Sequence, residues 1–222
     1  HRRMLARPVK ILLCCTGAAT AAGVAACLIW PDISAALTVQ IPQALPAFVF
    51  FMYLICNSIG TRMCKAMFYN CDISLLRYGW YRQRDVVLRN FTARLGRITL
   101  FNVLVAAAFC LSFLALCLAS GGIPPAGEMI PFLLCLLMLS VFFSIHPLFM
   151  YYVFQPYTSQ LAVKNPFFSA INFVLYLVCY LCIQIRQPAH SFAFIVLAAT
   201  ILYCAAALLT VWQRAYKTFR VK

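Results

Sequence analysis

Few residues in this chain are placed to do chemistry, and each has a structural use to weigh against a functional one. His146, one of three histidines, stands inside an apolar run directly before Pro147. A polar ring at membrane depth is a functional candidate by default, so His146 and Pro147 could line a substrate path. The proline also has a structural reading: it removes one helix hydrogen bond and frees a carbonyl, which the His146 ring or Ser144 could satisfy. Cys179 and Cys182 lie one turn apart on one helical face, a spacing that suits soft-metal or thiol chemistry. No third ligand stands beside them and cysteine recurs in every apolar run, so packing as small apolar residues is the simpler reading. Asn57, Ser58, Asn102 and Asn172 sit in or near the ends of apolar runs. There they can hydrogen-bond between helices, for about 0.6 kcal/mol each.

Several chemistries have no motif here. No G-x-x-x-x-G-K phosphate loop is present, so the chain is not expected to hydrolyse ATP alone. Neither H-E-x-x-H nor G-x-S-x-G occurs, which leaves intramembrane proteolysis without support. No enzymatic activity, cofactor or metal is expected of this chain. No Asp, Glu, Lys or Arg lies deep within an apolar run. Proton- and ion-coupled transporters usually keep such a residue, so an energy source outside the membrane gains weight.

The elements that must position these residues follow from composition. Of 222 residues, 65% are hydrophobic and 10% charged. A soluble domain carries about 25% charged residues. In hydrocarbon every backbone polar group must be satisfied internally, which leaves helices or a closed barrel. The long apolar runs lack period-2 alternation, so the class is all-α: a polytopic helical membrane protein. A span needs about 20 residues, and six transmembrane helices are predicted at Ile11–Trp30, Leu45–Ile59, Ile98–Ser120, Met129–Phe154, Pro166–Ile185 and Ser191–Trp212. Asn165 with Pro166 reads as an N-cap followed by proline at the first helical position, and Ser191 as a cap of the last span. Gly121–Pro125 is a turn cluster. The whole of residues 1–222 reads as a single transmembrane domain. His1 is not an initiator residue, so the chain is expected to be a piece of something longer; no cleavable signal is evident, because the first apolar run is too long for a signal-peptide core.

Orientation follows from the basic residues. With the N-terminus inside, every lysine and arginine except Arg186 falls on the inner side, while Asp32 and Glu128 fall outside. Both termini are therefore expected to face the cytoplasm, in the cytoplasmic (plasma) membrane. The net charge of +14 is spread along membrane edges, where it meets anionic lipid headgroups; nucleic-acid binding is not expected. All cysteines but Cys64 and Cys71 lie in apolar runs, and none falls in an expected outer loop, so no disulfide framework is predicted.

The connection Gly60–Arg97 is too polar to span and too apolar to be a disordered linker. Asp72 can cap a short helix through Ile73, Leu75 and Leu76 that ends near Gly79. A second, cytoplasmic amphipathic helix from about Arg84 to Arg97 puts Val87, Leu88, Phe91 and Leu95 on one face, with Arg82, Arg89, Arg94 and Arg97 elsewhere. Such a helix lies at the headgroups or on a protein partner. Tyr78, Trp80 and Tyr81 add bulky contact area at the turn.

The run Asp72-Ile73-Ser74-Leu75-Leu76, after the second span and followed by an arginine-rich amphipathic helix, resembles the permeases of ATP-binding-cassette exporters. The resemblance implies that Asp72, Leu75, Leu76 and the turn Arg77, Tyr78, Trp80, Tyr81, Arg82 and Arg84 form a coupling element. It would dock in a groove of a separate ATPase subunit. It also implies six helices that work as a pair, with a second transmembrane domain or a homodimer partner. The cargo would be hydrophobic or amphipathic. This sequence departs from the family in its Tyr78-Gly79-Trp80 turn, where members often place a proline. It departs again in its short connection between spans five and six, where many carry re-entrant helices. Two rival readings are a non-transport membrane scaffold anchored by a lipid-binding basic helix, and an ATP-independent carrier. The carrier predicts an internal repeat, which the unequal halves of this chain do not show.

Overall fold

The computed structural model describes residues 2–29, 43–120, 125–157, 165–185 and 189–219. Asp32, Lys164, Arg186 and the turn residues Gly121–Pro124 lie outside them. The described chain is all-α, with six helices. In chain order these are α1 (Arg2–Ile29), α2 (Leu45–Leu75), α3 (Arg84–Ser120), α4 (Ala126–Phe154), α5 (Pro166–Cys182) and α6 (Ala189–Thr218). Five of them, all but α5, are long and apolar enough to cross a membrane. Their outward faces carry large apolar side chains such as Leu104, Leu111, Leu118, Ile195, Leu202 and Leu209. Hydrocarbon, not water, is the solvent such faces fit. The chain is an integral membrane protein.

Local chemistry sets several boundaries. Pro166 opens α5 at its first helical position, and the Asn165 side chain accepts the Phe167 N–H at 3.1 Å, the capping arrangement its sequence predicts. The Asn165 amide also donates to the Phe154 carbonyl at 2.8 Å, tying the end of α4 to the start of α5. Helix α4 stops at Gln155, whose left-handed φ of 42° ends the helical path. Ser191 does not cap α6, because that helix already begins at Ala189 and Ser191 falls within its first turn.

Two expected breaks are absent. Helix α2 does not end near Ile59 but continues to Leu75, through π-helical segments at Tyr53–Asn57 and Phe68–Asp72. The amphipathic stretch 84–97 is not a separate element either. It is the first part of the 37-residue α3, which runs on into the membrane-spanning stretch. Gly96 stands alone at the junction, and an isolated glycine costs a helix only about 1 kcal/mol against alanine, too little to break it.

Helix α4 is the centre of the bundle and packs against α2, α3, α5 and α6, while α1 lies against α3. Gly60 on α2 permits the closest approach: a Cβ there would stand 2.7 Å from Pro147 Cγ and 3.4 Å from the Phe143 carbonyl oxygen. Two apolar clusters divide the core lengthwise. One, around Leu45, Val49, Phe113, Phe132 and Phe192, fills the end near the starts of α2, α4 and α6. The other, around Phe68, Leu76, Tyr81, Phe91, Tyr151, Tyr152 and Phe219, fills the opposite end. Arg62, Lys65, Arg77, Arg82, Arg84, Arg89, Arg94, Arg97, Arg214 and Lys217 belong to the segments that converge on this second end, hereafter the basic end.

Candidate functional site at the basic end

The π-helical segment Phe68–Asp72 precedes the site and sets its geometry. One extra residue in the winding rotates the succeeding side chains by about 100°, and Asp72 then faces the bundle interior, 0% exposed. It does not cap the following helix: its backbone is helical and its side chain makes no capping bond. The carboxylate is instead saturated by partners distant in sequence. Arg94 grips it with both guanidinium ends, Nη1 to Oδ2 and Nη2 to Oδ1, each at 2.6 Å. The Tyr81 hydroxyl donates to Oδ1 at 2.9 Å, and the Tyr151 hydroxyl of α4 donates to Oδ2. Arg94 Nη2 also donates to the Tyr81 oxygen at 3.0 Å, and its guanidinium lies 5.8 Å from the centre of the Tyr152 ring.

This geometry joins the end of α2, the turn, α3 and α4 through one carboxylate. Burial pushes the Tyr81 phenol up to about 12, Arg94 opposing and Asp72 adding to the shift, so Tyr81 stays a neutral donor. A buried pair of this kind is costly to desolvate, and removing one partner strands the other. Around it the aromatics close tightly: Tyr152 stacks on Phe219 of the α6 end at 4.4 Å, and Phe91 meets Tyr152 edge-on at 5.2 Å.

The sequence-predicted coupling residues separate into an inner and an outer set. Asp72, Leu76 and Tyr81 are buried in this protein's own core. Leu75 is half-buried, while Arg77, Arg82 and Arg84 are exposed. Tyr78 and Trp80 stand out at 58% and 55% exposure. A 3-10 turn over Gly79–Arg82 carries this tip, and the Trp80 ring rests edge-on against Tyr81 at 5.5 Å. Arg84 turns away from the tip, its guanidinium 4.8 Å over the Trp212 ring of α6.

The amphipathic residues also differ from expectation. Val87 and Phe91 are buried and Leu88 and Leu95 half-buried in the basic-end cluster. Much of the apolar face thus packs on the bundle itself, with Leu88 and Leu95 left part-exposed. Arg89 remains exposed, but Arg94 does not share its fate, being drawn inward by Asp72. Sequence reasoning missed Tyr151, Tyr152 and Phe219 altogether. The available signal was the doubled tyrosine in an apolar run of a chain whose basic loop holds only two acids, Asp72 and Asp85.

His146 lies elsewhere, at a three-helix junction. Its Nδ1 meets the Tyr203 hydroxyl of α6 at 2.5 Å and its Nε2 meets Asn172 Oδ1 of α5 at 3.3 Å. A neutral ring that accepts from Tyr203 and donates to Asn172 satisfies both contacts. Neither His146 nor Ser144 takes up the carbonyl freed by Pro147: Ser144 donates to the Ser140 carbonyl at 2.6 Å and accepts from Asn102 at 2.9 Å. That freed Phe143 carbonyl faces Gly60 instead. Neither His146 nor Pro147 lines the apolar cavity of ≈ 380 Å³ between α1, α2, α3 and α4. Cys179 is buried and Cys182 half-buried, both as free thiols. Among the described residues no three His, Cys, Asp or Glu side chains converge as a metal site would require.

No protein-family model matches this chain, and no curated protein or solved structure matches it.

Proposed function

We propose that this chain is the transmembrane permease domain of an ABC-type exporter, coupling ATP hydrolysis by a separate ATPase subunit to export of a hydrophobic or amphipathic substrate. The observation that carries the reading is the two-sided turn after α2. Its outer side offers Tyr78, Trp80, Arg77 and Arg82 to a partner. Its inner side is fastened by Asp72 and Tyr81 to Arg94 of α3 and Tyr151 of α4. A partner that presses on Trp80 acts through Tyr81 on the ion pair, and through it on two membrane helices at once. Aromatic and arginine side chains are those that protein interfaces favour. The buried anchor residues transmit, and the exposed ones dock. Transport requires a second transmembrane domain, either another copy or a related chain.

Affinity purification of the full-length protein in mild detergent, followed by mass spectrometry, tests the proposal. An ATPase subunit with a phosphate loop is expected to co-purify and to be lost in Tyr78→Ser/Trp80→Ser. A preparation free of any such ATPase, from membranes where the protein is natively expressed, contradicts it.

A further inference from the structure

Beyond transport, and independent of it, the geometry points to a binding site for one anionic phospholipid in the groove between the first turns of α3 and the last turns of α6. The groove encloses ≈ 560 Å³ and is lined by Leu88, Phe91, Leu208, Leu209, Val211 and Trp212, with Ala205 and Thr92 at its inner end. That volume falls in the range of ligand sites, roughly 300–1,000 Å³. Its single hydroxyl is already engaged, since Thr92 Oγ1 donates to the Leu88 and Arg89 carbonyls. Nothing in the lining asks for a polar ligand, so an acyl chain fits it.

The mouth has the opposite character. Arg84 lies one turn from Leu88 toward the basic end, its guanidinium 4.8 Å over the Trp212 ring and 5.7 Å from the Tyr216 ring. Lys217 stands at the same tyrosine, its Nζ 5.4 Å from the ring centre. Both cations are exposed. Among the described residues neither has an ion-pair partner, the nearby Asp85 included; the ion pair found there is Arg94 with Asp72. Two uncompensated cations held on aromatic rings, at the end of an apolar groove, match an anionic headgroup with its chain running inward along α6. The sequential order agrees: Trp212 and Tyr216 sit where aromatic side chains mark the membrane–water boundary. A zwitterionic lipid would fill the groove equally well but meet the mouth less well.

Trp212 reports directly on occupancy. The protein with every tryptophan but Trp212 replaced by phenylalanine, Trp30→Phe and Trp80→Phe among them, would be placed in phosphatidylcholine vesicles containing phosphatidylglycerol. Brominated acyl chains, carried by one lipid or the other at equal mole fraction, quench the indole they touch. Brominated phosphatidylglycerol is expected to quench more strongly than brominated phosphatidylcholine. Arg84→Gln and Lys217→Gln should each lower the relative association constant about fivefold, as for one basic side chain at a membrane surface. Equal quenching by the two lipids in the unaltered mouth overturns the proposal, because it describes ordinary boundary lipid. A preference that survives both substitutions overturns it too. So does weak quenching by either lipid, which means that protein, such as a second copy, covers the groove.

Discussion

Replacing Asp72 by asparagine should destabilise the bundle severely, and the geometry sets the scale. The change keeps the shape and removes the charge. Arg94, only 12% exposed and held by two contacts of 2.6 Å, is left without a counter-ion. Breaking a buried pair from one side costs about 3–5 kcal/mol. Tyr81 and Tyr151 donate to different oxygens of Asp72, so the amide keeps an acceptor for only one of these hydroxyls and turns an N–H donor toward the other, which adds to the loss. Replacing both charges removes the stranded ion but orphans those two hydroxyls, at about 1–3 kcal/mol for each buried group left unpaired. Asp72→Leu/Arg94→Met should therefore sit well above the sum of the two single variants. A coupling energy of at least about 2 kcal/mol is expected from the cycle. Reversible unfolding in mixed dodecylmaltoside and dodecyl sulfate micelles, followed by far-UV circular dichroism, measures the unaltered protein, Asp72→Asn, Asp72→Leu, Arg94→Met and the double variant. A loss below about 1 kcal/mol for Asp72→Asn, or additivity within about 0.5 kcal/mol, would refute the claim that this pair fastens the turn to the bundle.

Two further outcomes rest on packing and hydrogen bonding. Gly60→Ala places a methyl 2.7 Å from Pro147 Cγ and should cost about 1–3 kcal/mol by overpacking; Pro147→Ala in the same chain should recover part of that loss in the same unfolding assay. Tyr203→Phe leaves His146 Nδ1 without its 2.5 Å partner and should cost about 1–3 kcal/mol, whereas Tyr203→Phe with His146→Leu should cost less, because no buried nitrogen is then orphaned.

The apolar helices were legible because hydrocarbon imposes one pattern on a helix, and Asn165 with Pro166 was legible because a cap depends on neighbours in sequence. The fate of Asp72 was not. Local reasoning offers a helix cap, but the winners are Arg94, Tyr81 and Tyr151, the last lying on another helix 79 residues away. A local capping bond cannot compete with a bidentate charged pair. The π-helical segments that turn Asp72 inward leave no mark in hydrophobic periodicity, since one added residue only shifts the phase. The apolar face of the 84–97 stretch was legible, but the residues of the bundle that it packs against were not. Val87 and Phe91 say that something apolar must cover them; only the fold says that Tyr152 and Phe219 do. His146 was visible as a polar anomaly, yet whether it faces a path or two hydrogen-bond partners depends on α5 and α6.

Crosslinking from adjacent positions of the turn tests the proposed coupling most directly. A photoreactive phenylalanine would replace Trp80, which is exposed, or Tyr81 beside it, which is buried. Trp80→benzoylphenylalanine is expected to form a light-dependent adduct with an ATPase subunit in native membranes, while Tyr81→benzoylphenylalanine reacts within its own chain. An ATPase adduct from neither position, or equally from both, would contradict the coupling role of this turn.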